Sequence, residues 1–124
     1  MTGFRYRAFI SYSHADRRWG HWLHRTLEGY RVPRKLVGMA GAEGPVPARL
    51  TPVFRDLDDL PAGSDLTEEV QAALRDSRFL VVICSPSSAR SKWVNQEILH
   101  FKRLRGEGRI LAAIVDGEPF AVDT

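Results

Sequence analysis

Three uninterrupted apolar segments limit the folds that are open to this chain of 124 residues. They cover residues 8–10, 79–84 and 110–115, and each is too short for a helix of ordinary length. Strands that are apolar at every position are typical of parallel sheets whose two faces are both covered. Between them lie segments with apolar residues three and four apart, which predict amphipathic helices. This alternation predicts one α/β domain over residues 1–124, with helices flanking a central parallel sheet.

Apolar residues three and four positions apart also indicate where each predicted helix lies. The apolar residues of the first helix are Trp19, Trp22, Leu23, Leu27 and Tyr30. Asp16 is placed to cap this helix, and Ser64 or Asp65 to cap a second helix that buries Leu66, Val70, Ala73 and Leu74. A third helix is predicted from Trp93 to Arg105. Residues 31–52 are rich in proline and glycine, so we predict a long surface loop there, followed by a short strand at residues 53–54.

Charge and cysteine content narrow the function classes. The formal net charge is +3, and the arginines are scattered rather than gathered in a dense run. Scattered charge is usually solvated and suits a phosphate-bearing small molecule, so we expect no direct nucleic-acid binding. Cys84 is the only cysteine, which excludes an internal disulfide. Residues 1–10 lack a signal-peptide apolar segment and no apolar stretch reaches about 18 residues, so we expect a cytoplasmic protein without a membrane span.

Ligand-binding residues of a parallel sheet gather at the carboxyl ends of its strands. Those ends are predicted at residues 11–16, 55–63, 85–90 and 116–119. The first strand is followed neither by a G-x-G-x-x-G motif nor by a glycine loop with a lysine, so the usual nucleotide cradles are absent. The four histidines lack the spacing of a metal site. Ser85, Ser87 and Ser88 are interpreted as turn and capping residues.

One carboxylate occupies an unusual position in the third predicted helix. At about 100° per residue, Glu97 falls inside the apolar arc rather than opposite it. The arc consists of Trp93, Val94, Ile98, Phe101 and Leu104. A buried carboxylate costs several kcal/mol unless a partner stabilises it. Two interpretations stay open: Glu97 lies at the edge of the arc and reaches solvent or caps a loop, or it is buried for a functional reason.

Four segments, taken in order, resemble the motifs of the TIR (Toll/interleukin-1 receptor) domain family. The first is FISYS at residues 9–13, and the second is VFRDLDDLPAG at residues 53–63, which corresponds to the second loop of the family. The third is LVVICSP at residues 80–86, and the fourth is SKWVNQEI at residues 91–98. The intact Trp93-x-x-x-Glu97 pair is similar to bacterial and enzymatic members rather than to animal receptor adaptors.

The resemblance implies a flavodoxin-like three-layer α/β sandwich, with the last strand and helix of the family missing from this chain. Enzymatic TIR domains cleave the nicotinamide–ribose bond of NAD+, so the resemblance implies NAD+ as substrate, no cofactor, no metal, and Glu97 as the catalytic residue. The implied substrate-binding residues are Trp93, Tyr12, Ser13, His14, Phe54, Asp56 and Gly63. Core packing is an equally open interpretation for Tyr12 and the favoured one for Phe54.

The resemblance also implies partners. Family enzymes act when several TIR domains associate, with the second loop, here residues 55–65, completing a neighbour's pocket. Bacterial members sit beside a sensor or repeat module and act in immunity or signalling. We therefore expect an NAD+ glycohydrolase that is active on self-association. The alternatives are a non-enzymatic TIR–TIR assembly module or host-adaptor mimic, and a nucleotide-transferring enzyme that also uses Glu97. The chain departs from enzymatic members at Asp59, Pro61 and Asp65.

Overall fold

The computed structural model describes residues 4–41, 44–55 and 66–115. The strands in those ranges are β1 (Tyr6–Ser11), β2 (Ala40–Gly41), β3 (Gly44–Pro45), β4 (Val53–Arg55), β5 (Ser77–Cys84) and β6 (Ile110–Ile114). The α-helices are α1 (Arg17–Gly29), α2 (Glu68–Arg75), α3 (Pro86–Ala89) and α4 (Lys92–Arg105). Short 3-10 helices lie at His14–Asp16 and Arg34–Leu36. Each described helix is too short or too polar to cross a lipid bilayer.

Four strands form one parallel sheet in the order β4–β1–β5–β6. In this sheet Ala8 of β1 pairs with Val53 on one side and Phe79 on the other. Counting only these four strands along the chain, β1 is the first, β4 the second, β5 the third and β6 the fourth. Across the sheet they therefore run second, first, third, fourth, which is the flavodoxin-like order. The predicted α/β fold with a central parallel sheet and flanking helices is therefore confirmed. Because the strands are parallel, their carboxyl ends lie at one edge of the sheet.

The two faces of the sheet are covered by different helices. Successive residues of a strand point to opposite faces, so Ala8 and Ile10 share one face while Phe9 belongs to the other. The first face packs against the apolar side of α1, through Trp19, Leu23 and Leu27. The second face packs against α2 and α4, through Val70, Ala73, Leu74, Val94 and Phe101. The three layers thus place α1 and α4 on opposite sides of the sheet.

The segment over residues 31–52 differs from the irregular loop that its composition predicts. Its described residues are mostly exposed, as expected, but β2 and β3 pair antiparallel and Arg31 bridges to Arg49. The Gly38 N–H donates to the Val46 carbonyl at 2.8 Å, and the Val46 N–H donates to the Met39 carbonyl at 2.9 Å. The prediction that this segment lacks regular structure was therefore wrong. Backbone pairing of this kind needs no apolar alternation, so the sequence pattern does not reveal it.

Three local predictions are also corrected. The cap of α2 is Thr67, whose hydroxyl accepts the Val70 N–H at 3.2 Å, because a cap must directly precede the first turn to reach it. Strand β6 is not buried as predicted: Ile114 is 86% exposed, since among the described strands β6 lies at the edge of the sheet. Leu104 is exposed because it lies beyond Phe101, the last buried residue of α4.

Candidate functional site

Glu97 lies inside the fold, on the side of α4 that faces the sheet. Its exposed fraction is 1%, so the interpretation that it reaches solvent is wrong. The helix that carries it begins at a Ser91 cap, whose hydroxyl accepts the Val94 N–H at 3.1 Å. The Ser11 hydroxyl donates a hydrogen bond of 2.6 Å to Glu97 Oε1, and Ser11 itself is fully buried. The carboxylate is therefore fixed against the end of β1.

The alternation of β1 explains why Ser11 is the partner of Glu97. Phe9 and Ser11 are two residues apart and so point to the same face, which α4 covers. Phe9 fills the apolar cluster, and Ser11 ends the strand. A hydrogen bond to a charged group contributes about 1.5–3 kcal/mol, which offsets part of the cost of burying the carboxylate. An apolar side chain at position 11 would remove this compensation.

A second polar cluster joins the ends of β1 and β5, which are neighbours in the sheet. Asp16 Oδ2 accepts the hydroxyl of Ser13 at 2.8 Å and also the hydroxyl of Ser85. Ser13 is almost fully buried. Ser85 and Ser88 form a reciprocal capping box at the start of α3, which confirms their predicted capping role. Asp16 is the N-cap residue of α1, as predicted, but its carboxylate makes no capping hydrogen bond to that helix.

The structure places the other predicted site residues in different surroundings. Tyr12 is half-buried beside α1, where a β-carbon at Gly20 would lie 3.0 Å from its ring. His14 is exposed, and its Nε2 lies 3.3 Å from Arg17 Nη1. Tyr12 therefore borders α1, whereas Glu97 lies across the sheet on α4. The ligand-binding roles of Tyr12 and His14 stay predictions.

Two predicted aromatic residues border the apolar cluster around Phe9. Trp93 is half-buried against this cluster, one helical turn before Glu97. Phe54 stacks on Phe9 with ring centroids 5.0 Å apart, and it meets Tyr6 edge-on at 5.1 Å. These contacts agree with the packing interpretation of Phe54. Asp56 and Gly63 lie outside the described residues.

The arrangement favours charge stabilisation by one carboxylate. Over residues 4–41, 44–55 and 66–115, no three His, Cys, Asp or Glu side chains come together as metal ligands. Asp16 is engaged by Ser13 and Ser85, whereas Glu97 is fixed by Ser11 in apolar surroundings. In such surroundings a carboxylate stabilises a nearby positive charge far more strongly than it does in water. The sequence analysis located Glu97 but missed Ser11, the last residue of β1, and the Asp16 cluster at the ends of β1 and β5.

Comparisons with known proteins agree with this architecture. Residues 47–123 match the sequence model of the family described as TIR domain. The NAD(+) hydrolase ApTIR of an Actinoplanes species is 36% identical over 115 residues, which are 92% of this chain and 14% of that protein. A solved structure shows the activated Roq1 resistosome, which directly recognises the pathogen effector XopQ. Its TIR domains align with this chain with a TM-score of 0.52 and 20% identity. That alignment covers 88% of this chain and 55% of the solved chain.

Proposed function

This chain belongs to the TIR domain family, and from that premise we propose that it is an NAD+ glycohydrolase in which Glu97 is the catalytic residue. The observation that carries the proposal is the burial of Glu97 at the carboxyl edge of the sheet, where Ser11 holds it at 2.6 Å. The identity of 36% to an NAD(+) hydrolase supports the choice of substrate. The chain spans 14% of the length of that relative.

The chemistry of NAD+ fits a site with one carboxylate. The nicotinamide ring is cationic and leaves as a neutral base, so the leaving group needs no acid to protonate it. The ribose carbon gains positive charge as the bond breaks, and a carboxylate beside it stabilises that charge. Ordinary glycosidases need a second carboxyl group as the acid. Glu97 alone therefore supplies the group that the reaction requires, and water completes the hydrolysis.

Trp93 is placed to support the same step. It lies four residues before Glu97 on α4, so the two side chains are neighbours on one side of the helix. An aromatic face attracts a cationic ring with about 0.5–2 kcal/mol. We assign Trp93 to the nicotinamide end of the substrate, and Ser13 and His14, at the end of β1, to the nucleotide end.

The burial of Glu97 supports a requirement for self-association. An exposed fraction of 1% leaves too little of the carboxylate accessible to contact a ribose, so the covering groups must move before the reaction. We propose that association through residues 55–65 favours the uncovered form. The related TIR domains of Roq1 were solved as part of an activated assembly. An attached sensor or repeat module, acting in bacterial immunity or signalling, would drive the association.

The test measures nicotinamide release from NAD+ at rising protein concentration, and again after fusion to an oligomerising domain. Glu97→Gln keeps the size of the side chain and an acceptor for Ser11 but removes the charge, so we expect turnover to fall by about 10²-fold or more. Glu69→Gln, at an exposed carboxylate of α2, is the matched control and should keep full activity. Release that survives Glu97→Gln rejects the assignment of Glu97.

The near-complete burial of Glu97 also favours a second candidate, a TIR–TIR assembly module or host-adaptor mimic without turnover. Association in light scattering, with no nicotinamide released even by the fused oligomer, would establish this candidate instead. Mass spectrometry of the products separates a third possibility, a nucleotide-transferring enzyme that uses Glu97. The same spectra distinguish linear from cyclic ADP-ribose.

A further inference from the structure

The net positive charge of the chain belongs to one segment, residues 31–52, which joins α1 to β4. The segment contains four basic residues and one acidic residue, Glu43, which lies outside the described residues. The whole chain has 18 basic and 15 acidic residues, so 18 less 4 and 15 less 1 leave 14 of each elsewhere. The formal net charge of +3 is therefore the charge of this segment, and the rest of the chain is neutral as a whole.

The basic side chains of this segment lie at the surface. All four are exposed to solvent: Arg31, Arg34, Lys35 and Arg49. None of the described residues of the segment is buried, and none belongs to the apolar clusters on the two faces of the sheet. Packing of the core therefore gives no reason for the composition of this segment.

Large apolar side chains are exposed in the same part of the chain. They are Tyr30, which directly precedes the segment, Leu36, Val37 and Met39. We call these four residues the exposed patch. Single exposed apolar residues are ordinary in soluble proteins, whereas several that lie close together mark a surface that contacts another protein or a membrane. The exposed patch is therefore a candidate interaction surface.

The fold holds the exposed patch beside the basic residues. A backbone bridge between Arg31 and Arg49 joins the two ends of the segment, and the Val37 N–H donates to the Arg34 carbonyl at 3.2 Å. A groove of about 580 Å³ is lined by Arg31, Val32, Arg34, Val37, Ala48 and Arg49. Val37 thus belongs both to the exposed patch and to a groove that carries three arginines.

This combination of groups favours a negatively charged lipid bilayer as the partner. Surface arginine and lysine side chains attract anionic headgroups, and exposed aliphatic side chains enter the boundary between headgroups and acyl chains. Single-stranded nucleic acid is bound by stacking its bases on aromatic rings, and residues 31–52 contain no aromatic residue. A symmetric contact between two copies through this surface would bring two segments of charge +3 together, and like charges repel.

We propose that residues 30–39 and Arg49 form a docking surface for an anionic phospholipid bilayer. The basic side chains contact the lipid phosphates, and the exposed patch enters the interface without crossing the bilayer. The surface lies between α1 and β4, whereas Glu97 lies on α4. The inference therefore does not depend on the proposed hydrolysis of NAD+.

Co-sedimentation of the whole chain with lipid vesicles tests the proposal. Phosphatidylcholine vesicles that contain about 30% phosphatidylserine should bind the chain at least about tenfold more tightly than pure phosphatidylcholine vesicles, and added NaCl should reduce this difference. Each basic residue near such a surface contributes about fivefold, so Arg34→Gln/Arg49→Gln should weaken binding by about 25-fold. Arg90→Gln/Arg103→Gln makes the same change in net charge at exposed arginines outside the segment and should weaken binding by less than about threefold.

A second pair of variants tests the contribution of the exposed patch. Leu36→Gln/Met39→Gln keeps the charge of the segment but removes apolar surface, so it should weaken binding to the phosphatidylserine vesicles by at least about fivefold. Leu99→Gln/Leu104→Gln, at two exposed leucines of α4, is the matched control and should change binding by less than about twofold. Circular dichroism checks that all the variants fold.

Three results would overturn the proposal. The first is equal binding to vesicles with and without phosphatidylserine, or an equal loss of affinity in the two arginine variants. The second is unchanged binding of Leu36→Gln/Met39→Gln, because the attraction would then be electrostatic alone. The third is displacement of the chain from the vesicles by polyglutamate or by a single-stranded oligonucleotide at an equal concentration of negative charge, which would assign the surface to an acidic protein or to a nucleic acid.

Discussion

Substitution of Ser11 by alanine tests whether one hydrogen bond stabilises the buried Glu97 carboxylate. Ser11 is fully buried and Glu97 is 1% exposed, so water is not positioned to replace the lost donor. The change removes the hydroxyl that lies 2.6 Å from Oε1. A hydrogen bond to a charged group contributes about 1.5–3 kcal/mol, and the desolvated acceptor adds to the loss. We expect the free energy of unfolding to fall by about 2–4 kcal/mol.

A double-mutant cycle separates the hydrogen bond from the loss of packing. Glu97→Leu exchanges the carboxylate for an apolar side chain in an apolar cluster, but leaves the Ser11 hydroxyl without its acceptor. The two effects oppose each other, so this variant should lie within about 1 kcal/mol of the wild type. Ser11→Ala/Glu97→Leu removes both polar groups and should be at least as stable as the wild type. The coupling energy should therefore reach about 2–4 kcal/mol.

Urea denaturation followed by circular dichroism measures the four free energies. Ser87→Ala, at a half-buried hydroxyl outside the Ser11–Glu97 pair, is the matched control and should change stability by less than about 0.5 kcal/mol. The reasoning is refuted if Ser11→Ala behaves like this control. It is equally refuted if the two single changes add to within about 0.5 kcal/mol, because the residues would then not interact.

Two further predictions concern other polar contacts. Asp16→Ala removes the acceptor of Ser13 and Ser85 and should lower the free energy of unfolding in urea by about 1–3 kcal/mol, whereas Asp16→Asn should recover most of it; equal effects of the two changes would contradict this. The hydrogen bond and charge of Lys102 lower the pKa of Glu107 in the folded protein. The ion pair therefore stabilises the fold at pH values above the ordinary carboxyl pKa, and this stabilisation is lost as the pH falls through the lowered pKa of Glu107. Glu107→Gln should therefore shrink the stability difference between about pH 6 and pH 2 in thermal melts, and an unchanged difference would count against it.

The fold was predictable because its main strands are unbroken apolar runs, whereas its helices carry apolar residues three and four positions apart. Residues 79–84 form an unbroken apolar run, and the structure places them in β5, the strand between β1 and β6. The failures occurred where apolar pattern carries no information. Ala40–Gly41 and Gly44–Pro45 pair through backbone groups at the surface, and no hydrophobic period marks such a pair. Strand β6 has the composition of a central strand but lies at the edge among the described strands, and composition alone does not reveal that position.

The site was half predictable for a related reason. Helical spacing placed Glu97 on the buried side of α4, because the period of one helix is a local property. Its partner Ser11 is 86 positions away along the chain, and only the sheet brings them together. The difficulty with Asp16 is different, because its local sequence is compatible with two roles. An aspartate just before a helix suits both a cap and a cluster at the strand ends, and the sequence offers no means to choose between them.

In the proposed function, the burial of Glu97 gives self-association a definite energetic task. Uncovering the carboxylate restores its hydration, so what opposes the opening is the exposure of apolar neighbours such as Val94 and Phe101. For an uncovered form that makes up about 1% of free chains, a contact favouring that form by about 2.7 kcal/mol raises it to one half. A single well-packed interface residue supplies an energy of that size. A modest contact between copies would therefore be enough to make the buried carboxylate accessible, without any change in the residues that we propose for the reaction.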